Sequence, residues 1–440
     1  MHSKDPAKLS GPLHDEFWRV FEEILAKAGE GKADFKRFVF PEVRLRKRDF
    51  EAICIFFDAV FMQNVDFIGA TFDLPADFRG ATFEQEAEFS GAVFMQFVNF
   101  IGTTFEQTTC FRGVIFMHEV NFTSAIFSEK VDFTRAEFSA TADYDLTEFH
   151  GTGDWTEAHF IDRAEFRGTT LQPKDPTAPS SVFSLAKFAK PAEIVFDDVD
   201  LSRSLFHNCD VSQLWFTSSV WWGTRKGNRG LAVFEETIDL KQEFAEGLRR
   251  DGQRDYRAIA QIYQQLKKNY DSRLDYWTAN EFHFGEMEMK RLAGPASGRL
   301  LTLRRWWHRN LSFVAWYKYA SDYGNSYGKP LVWLFVILLA ATLLFPLPGV
   351  GLKQAISANS ARVTYSRVWN QQDSWTNNFW TEAKLIGKSG ITAIDMATFQ
   401  RTPEYAPAYP WGRVLAIFET LLTSSLFALF LLATRRQFRR

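Results

Sequence analysis

The sequence predicts a β-solenoid followed by an α-helical hairpin and a two-span α-helical membrane domain. Three observations predict it. One aromatic position returns at alternating intervals of five and six residues between Phe61 and Leu171, helical spacing sets in after Phe234, and two uncharged apolar stretches lie near the C-terminus.

The aromatic position runs Phe61, Phe67, Phe72, Phe78, Phe83, Phe89 and onward at the same spacing to Phe149, Trp155, Phe160, Phe166 and Leu171. Eighteen of its twenty-one occupants are Phe although Phe is 45 of 440 residues, so composition does not explain the recurrence. Two residues earlier stands Ala, Val, Thr or Gly, as at Ala70, Ala76, Ala81, Val98, Val131 and Gly153; the residue between is small or polar, as at Asp66, Thr71, Asp77 and Glu88. The period is too short for helical repeats of about 33 to 47 residues and does not fit a 3.6-residue stripe. In an extended segment positions two apart share a face, so the small residue and the aromatic point inward while the residue between them meets water. Each Phe then stacks on its equivalent one coil away at about 4.8 Å, and each coil covers the edge of the one before. The pattern resembles the pentapeptide-repeat family, whose members are right-handed quadrilateral β-helices with a small residue at i−2 and Leu or Phe at i. The strict five-residue form follows at Phe196, Leu201, Phe206, Val211, Phe216 and Trp221. The alternation upstream implies about 22 rather than 20 residues per coil.

Taken in order, residues 1–38 carry an amphipathic stretch at Phe17, Val20, Phe21, Ile24 and Leu25 that caps the first coil. The polar residues before it do not form a signal peptide. The repeat register traces back through Phe56 and Phe50 to about Leu45, which places the solenoid at residues 39–222. By register Cys54 and Cys209 take inward i−2 slots, and three widely spaced cysteines support neither a disulfide framework nor a zinc site. The stretch LQPKDPTAPSS, residues 171–181, interrupts the repeat as a surface insertion. The net charge of −2 hides an asymmetry: residues 1–222 hold 21 Lys plus Arg against 35 Asp plus Glu, whereas residues 223–330 hold 19 against 13 and residues 331–440 hold 11 against 5. The solenoid is acidic and everything after it is basic.

A linker, GTRKGNRG, follows near Gly223, and residues 223–292 read as a helical hairpin: Ile259, Ile262, Tyr263 and Leu266 recur at helical spacing, the chain breaks between Asn269 and Asp275, and a second helix runs to about Arg291. Residues 260–291 look like the hairpin that joins solenoid to membrane helices in bacterial pentapeptide-repeat membrane proteins. Glu281, His283, Glu286 and Glu288 have a metal-ligand look, but an exposed helix face with a Glu286–Lys290 pair accounts for them better. Residues 293–329 are basic and aromatic, with Arg304, Arg305, Trp306, Trp307, Arg309 and Trp316 as membrane-interface residues. Such a segment beside an apolar span suits an anionic leaflet better than nucleic acid.

Residues 330–440 form the membrane domain. Spans are expected at about 331–347 and 414–434, the first barely long enough for about 30 Å of hydrocarbon. The basic flanks of both put the two termini and the solenoid on the cytoplasmic side of the inner (plasma) membrane. With a re-entrant helix at about 379–391 and Gly412–Arg413 opening the second span, this region resembles the two-helix pore module of the potassium-channel superfamily. That resemblance implies a homotetramer around a pore for inorganic ions, with Thr392, Ala393, Ile394, Asp395 and Met396 at the filter position. The stretch lacks glycine, so its backbone cannot turn a row of carbonyls inward as a potassium filter does; a ring of Asp395 would still favour cations. Glu419, in the first third of the second span, and Thr423 are further pore candidates, because a carboxylate inside the membrane needs water or a partner.

No nucleophile elbow, phosphate loop, HExxH or CxxC occurs, so neither an enzyme nor a cofactor is expected. Two functions fit: an oligomeric, cation-conducting channel-like protein without a potassium filter, or a membrane-anchored scaffold whose solenoid binds a cytosolic partner, a DNA-mimicking gyrase ligand being the less favoured form of the second.

Overall fold

The computed structural model describes residues 1–2, 4, 11–223, 231–250, 253–293, 301–347, 352–354, 364–365, 375–398, 405–407 and 409–437. Most of the linker after Gly223 lies outside the described residues. The chain divides into two compact units, Met1–Ala293 and Gly294–Arg440.

In the first unit, short strands stack in parallel into four sheets of nine, seven, eight and seven strands. This is a β-solenoid of about eight turns. Phe61, Phe83, Phe105, Phe127 and Phe149 pair in one register, the coil length expected from the alternation of five and six. Their rings stack 4.5, 4.8, 4.9 and 5.1 Å apart within 10° of parallel. Each buried Phe contributes about 1.5–3 kcal/mol of hydrophobic stabilisation, and each ring pair about 0.5–1.5 kcal/mol more. The coil lengthens between the paired residues Gly153 and Ser181 and between Ala164 and Ile194, where the chain loops out over residues 172–180. It shortens between Phe196 and Phe216, where the strict five-residue form sets in.

The alternation of five and six has its cause at the corners. Every eleventh residue from Asp58 through Gly69, Gly80, Gly91, Gly102, Gly113, Ser124, Arg135, Leu146 and Glu157 to Gly168 has φ between 56 and 65°. Two opposite corners of each coil therefore turn through a left-handed residue, and the other two bend without one. Three residues before many of these turns, an Asp or Asn carboxyl or amide oxygen accepts the backbone N–H two residues on: Asp66 from Ile68 (3.0 Å), Asn99 from Ile101 (2.9 Å), Asp132 from Thr134 (2.8 Å).

The solenoid begins earlier than the sequence reading places it. Lys32–Asp34 pairs with Ile53–Ile55, and Phe35 stacks on Phe56 at 5.3 Å. The small-residue signal fails there because Phe38 fills the slot before Phe40 and Arg48 the slot before Phe50. Helix α1 (Pro12–Ala28) closes this end. Its buried Phe21 stacks on Phe35 at 4.6 Å, its Phe17 meets Phe40 at 5.3 Å, and Arg48 reaches up to Glu22 at 2.5 Å.

Helices α2 (Tyr256–Ser272) and α3 (Tyr276–Leu292) start at Asp255 and Asp275, whose side chains accept N–H groups of the first turn. They pack closely because position 285 is Gly: a Cβ there would lie 2.3 Å from the Tyr263 ring. The hairpin is not merely a linker, because α2 closes the last coil. Asn269 donates to the carbonyls of Val211 (2.9 Å) and Leu214 (2.7 Å), and the indole of Trp221 donates to the Tyr270 hydroxyl at 2.9 Å. Both ends of the Phe stack are thus sealed by helices, which covers strand edges that would otherwise pair with other chains.

The second unit holds α4 (Leu301–Leu311), α5 (Phe313–Ser321), α6 (Gly328–Leu344), α7 (Trp375–Ala397) and α8 (Pro410–Gln437). Three strands, Leu352–Gln354, Thr364–Tyr365 and Tyr405–Pro407, form a small antiparallel sheet that the sequence reading does not contain. Helix α8 contains one stretch, Pro410–Arg436, long and apolar enough to cross a membrane; α6 is apolar but has 17 residues. Ala341 of α6, Ala393 of α7 and Ala416 of α8 meet in one apolar cluster with Phe345 and Leu352. The side chain of Arg436 donates to the Tyr323 carbonyl at 2.7 Å and so ties the end of α8 to the turn before α6.

Candidate functional site

Two regions carry the polar groups from which function can be built: the outer faces of the solenoid and the interior of the helical unit. On the solenoid, much of the acidic excess is answered locally. Arg112 meets Asp132 (2.7 Å), Arg135 meets Glu157 (2.7 Å) and Arg46 meets Asp66 (3.0 Å), each across about one coil, while Arg79 meets Asp77 (2.7 Å) in its own turn. Burial works against ionisation of Asp132, but the hydrogen bonds from Thr134 and Arg112 outweigh it and hold the carboxyl below the usual range. Asp143, Asp145 and Glu165 bring carboxylate oxygens within 4.8 Å of one another. Arg167 bridges Asp145 and Glu165, however, so this cluster is already internally neutralised in part.

The second acidic group, on α3, is not on an exposed face as the sequence reading has it. His283, Glu286 and Glu288 are buried. Glu286 meets Lys290 at 2.5 Å and Lys267 at 3.5 Å, and Glu288 meets Arg291 at 2.6 Å. Burial opposes the Glu286 charge, yet His283 and the two lysines overcome it and hold the carboxyl at about 2. These side chains fasten α3 to α2 and are engaged by cations of the protein itself.

Sequence reasoning did not single out Glu235, which follows the linker. It is fully buried, accepts the Phe206 N–H at 2.6 Å, and burial pushes its carboxyl up to about 7. No periodicity marks it; only its position where the solenoid ends could have drawn attention.

In the helical unit the interface residues divide. Arg304, Trp306 and Trp307 are exposed, Arg309 and Trp316 are half-buried, and the side chain of Arg305 lies outside the described residues. The expected filter is not formed by its candidates. Thr392, Ala393, Ile394, Asp395 and Met396 all lie within α7, which continues to Ala397, where a filter would need an extended loop. A helix turns its carbonyls along its axis toward its own N–H groups, as the Thr398 N–H to Ile394 carbonyl bond of 2.9 Å shows. The lack of glycine and proline between Ile391 and Ala397, which bars a filter, is also what lets the helix run on. The re-entrant helix expected at 379–391 is therefore a helix of 23 residues.

The same residues nevertheless gather inside one chain. Thr392, Ala393, Asp395, Glu419 and Thr423 are buried, and Ile394 alone points outward at 55% exposure. The Thr392 hydroxyl donates to the Lys388 carbonyl (2.9 Å), that of Thr423 to the Glu419 carbonyl (2.8 Å), and that of Thr420 to the Met396 carbonyl of α7 at 3.3 Å. Along α8, Gly412, Ala416, Glu419, Thr423, Leu426 and Ala433 are buried, at spacings of three, four and seven that make one helical stripe. Phe418, Leu421, Phe427 and Leu431 cover the opposite side and are exposed.

Compared with known proteins, residues 56–104 and 67–115 match the family model for pentapeptide repeats (9 copies). No curated protein matches the chain, and no solved structure does. The solenoid of this chain is built of pentapeptide repeats.

Proposed function

We propose that the protein is a membrane-tethered interaction scaffold, in which the helical unit anchors the chain and the solenoid presents a rigid surface to a cytosolic protein. The observation that carries the reading is α8, a helix of 28 residues whose large apolar side chains are exposed and whose last turn holds Arg435 and Arg436. Exposed apolar area of that extent needs lipid or protein to cover it. In this reading α6, about 26 Å long at 1.5 Å per residue, crosses beside α8, and the basic flanks of both lie on the cytoplasmic side of the inner membrane. Arg304, Trp306 and Trp307 are then available to anionic headgroups. The test is extraction of the full chain from bacterial membranes with alkaline carbonate. It stays with the membrane pellet, and the chain carrying Phe427→Arg and Leu431→Arg is released; release of the unaltered chain sinks the tether. Because arginines one coil away answer many carboxylates, the solenoid offers a weaker imitation of DNA than its composition implies, and gyrase supercoiling should proceed unhindered at micromolar protein.

A second reading is favoured by Glu419 and Thr423 on the buried stripe of α8. Several copies, four by resemblance, would conduct cations past Glu419 and Thr423 rather than through a potassium filter. Planar-bilayer recording of the full chain separates the two: steady cation conductance supports the channel, and silence at all voltages leaves the scaffold.

A further inference from the structure

Glu419 stands out among the described residues because it is 3% exposed and neither of its carboxylate oxygens has a hydrogen-bond partner. A bare carboxylate so placed is costly, since nothing replaces the water it has lost. The burial is produced within one chain, by α6 and α7 packing on α8, and so requires neither membrane crossing nor assembly of copies.

Among the described residues, the surrounding helices do not bring a cation to it. Lys329 at the start of α6 pairs with Asp322 at 2.6 Å, and Lys388 of α7 stands 5.4 Å over the Tyr405 ring. On α8, Arg413 and Arg435 are exposed and Arg436 is bound to the Tyr323 carbonyl; on α7, Lys384 is exposed and Glu382 half-buried. Thr420, next to Glu419 on α8, donates to the Met396 carbonyl of α7, so α7 packs against α8 beside the buried Glu419. Hydroxyl oxygens with free lone pairs lie on the same two helices, that of Thr423 one turn along α8 from Glu419. The hydroxyl protons of Thr392 and Thr423 are directed to carbonyls of their own helices, and Ser389 Oγ on the α7 turn above is buried without a partner.

We propose that the buried Glu419 carboxylate is a binding site for one monovalent cation, an alkali ion or a proton. Carboxylate and hydroxyl oxygens are the hard donors that alkali ions take, and a proton on Glu419 removes the same charge. The experiment follows the purified full-length protein in detergent. Labelling of Glu419 by a hydrophobic carbodiimide is read by mass spectrometry of its peptide, in sodium, potassium or choline chloride and from pH 6 to pH 9. An alkali site predicts labelling slowed at least about fivefold by one alkali ion at fixed pH, as occupancy of a site near saturation requires. A proton site predicts labelling that falls with rising pH and ignores the salt. A rate that is the same in every salt and at every pH, or no labelling anywhere, overturns the proposal. The second measurement is thermal unfolding. The wild-type midpoint rises by about 3–6 °C for each tenfold excess of the bound cation, whereas Glu419→Gln, neutral without a ligand, no longer responds. Equal responses in both proteins overturn the proposal, and a Glu419→Gln chain that fails to accumulate leaves the labelling of the wild type to decide.

Discussion

At residue 153 the repeat carries glycine where the coils on either side carry Val131 and Ser181, and two residues later Trp155 stands where they carry Phe133 and Phe183. The two departures belong together. A Cβ on Gly153 would lie 2.5 Å from the Trp155 ring, which stacks on Phe133 at 5.5 Å and Phe183 at 4.9 Å. The larger ring occupies the volume that the smaller residue vacates, so Gly153→Ala should destabilise the solenoid by about 1–3 kcal/mol by overpacking. Adding Trp155→Phe should return most of that loss; urea unfolding of the two single variants and the double would show the coupling, and additive costs would refute it. Glu235 gives a second prediction at this scale. Its folded value of about 7 stands above the ordinary 4.5, so between those pH values the folded chain keeps a proton that the unfolded chain has lost. The stability it confers is complete below pH 4.5 and declines as pH rises to 7. Glu286, held at about 2, acts oppositely: its contribution is present above pH 4.5 and is lost as pH falls toward 2. Glu235→Gln should therefore abolish a loss on the order of 3 kcal/mol between pH 4.5 and 7 while leaving the acid limb intact, as denaturant titrations at pH 3, 5 and 8 would register.

Among the elements, α2 matters more than its place after the solenoid implies. Asn269 supplies two hydrogen bonds to carbonyls of the last coil, and Arg273 donates to the Phe216 carbonyl at 3.2 Å. Asn269→Ala leaves the buried Val211 carbonyl without a donor, at roughly 1–3 kcal/mol, while the Leu214 carbonyl still accepts from Arg273. Hydrogen exchange should rise first in residues 204–217, with the coils around Phe105 protected as before; uniform acceleration along the solenoid would mean that the hairpin does not act as a cap. The strand ladder was legible in the sequence because an inward side chain every five or six residues leaves a periodic trace, and α1 was legible because Phe17 and Phe21 sit one turn apart. The first coil was not, since Phe38 and Arg48 break the small-residue rule. The Asp and Asn residues at 66, 77, 99, 121, 132, 143 and 154 recur on an eleven-residue grid, but read as surface charge they gave no hint that they hold turns. In the helical unit, composition located α6 and α8 yet misjudged α7, because resemblance supplied a loop at Thr392–Met396 where the residues themselves favour continued helix. Glu419 was visible as an acid in an apolar stretch; that it faces its own chain is set by packing, which no local pattern records.

Over the whole molecule, the solenoid is quasi-one-dimensional, each coil touching only its neighbours, so its stability should be nearly a sum over coils. Its register, however, depends on more than the aromatic spacing. The corners alternate between turns through a left-handed residue and plain bends, with the left-handed positions eleven residues apart, as at Gly91, Gly102 and Gly113. A coil can thus be removed only whole, in a cut that restores both the aromatic order and the corner order. Deleting Gly91–Arg112 from the full chain joins Ser90 to Gly113, a glycine of the same φ, and puts Phe89 where Phe111 stood against Phe133. That chain should fold and retain strand circular dichroism, with a urea m-value lowered in proportion to the lost surface. Deleting only Gly91–Glu106 places Phe111 six residues after Phe89, an interval the repeat itself uses. Yet Gln107 then falls where Gly91 supplied the left-handed turn, and Gly113 falls on a corner that bends without one. A left-handed conformation costs an ordinary residue about 1–2 kcal/mol, and every later corner is displaced in the same way. The shorter deletion should therefore fail to form a cooperative solenoid although it removes less of the chain. If both chains unfold with equal cooperativity, aromatic stacking alone sets the coil and the corner grid does not.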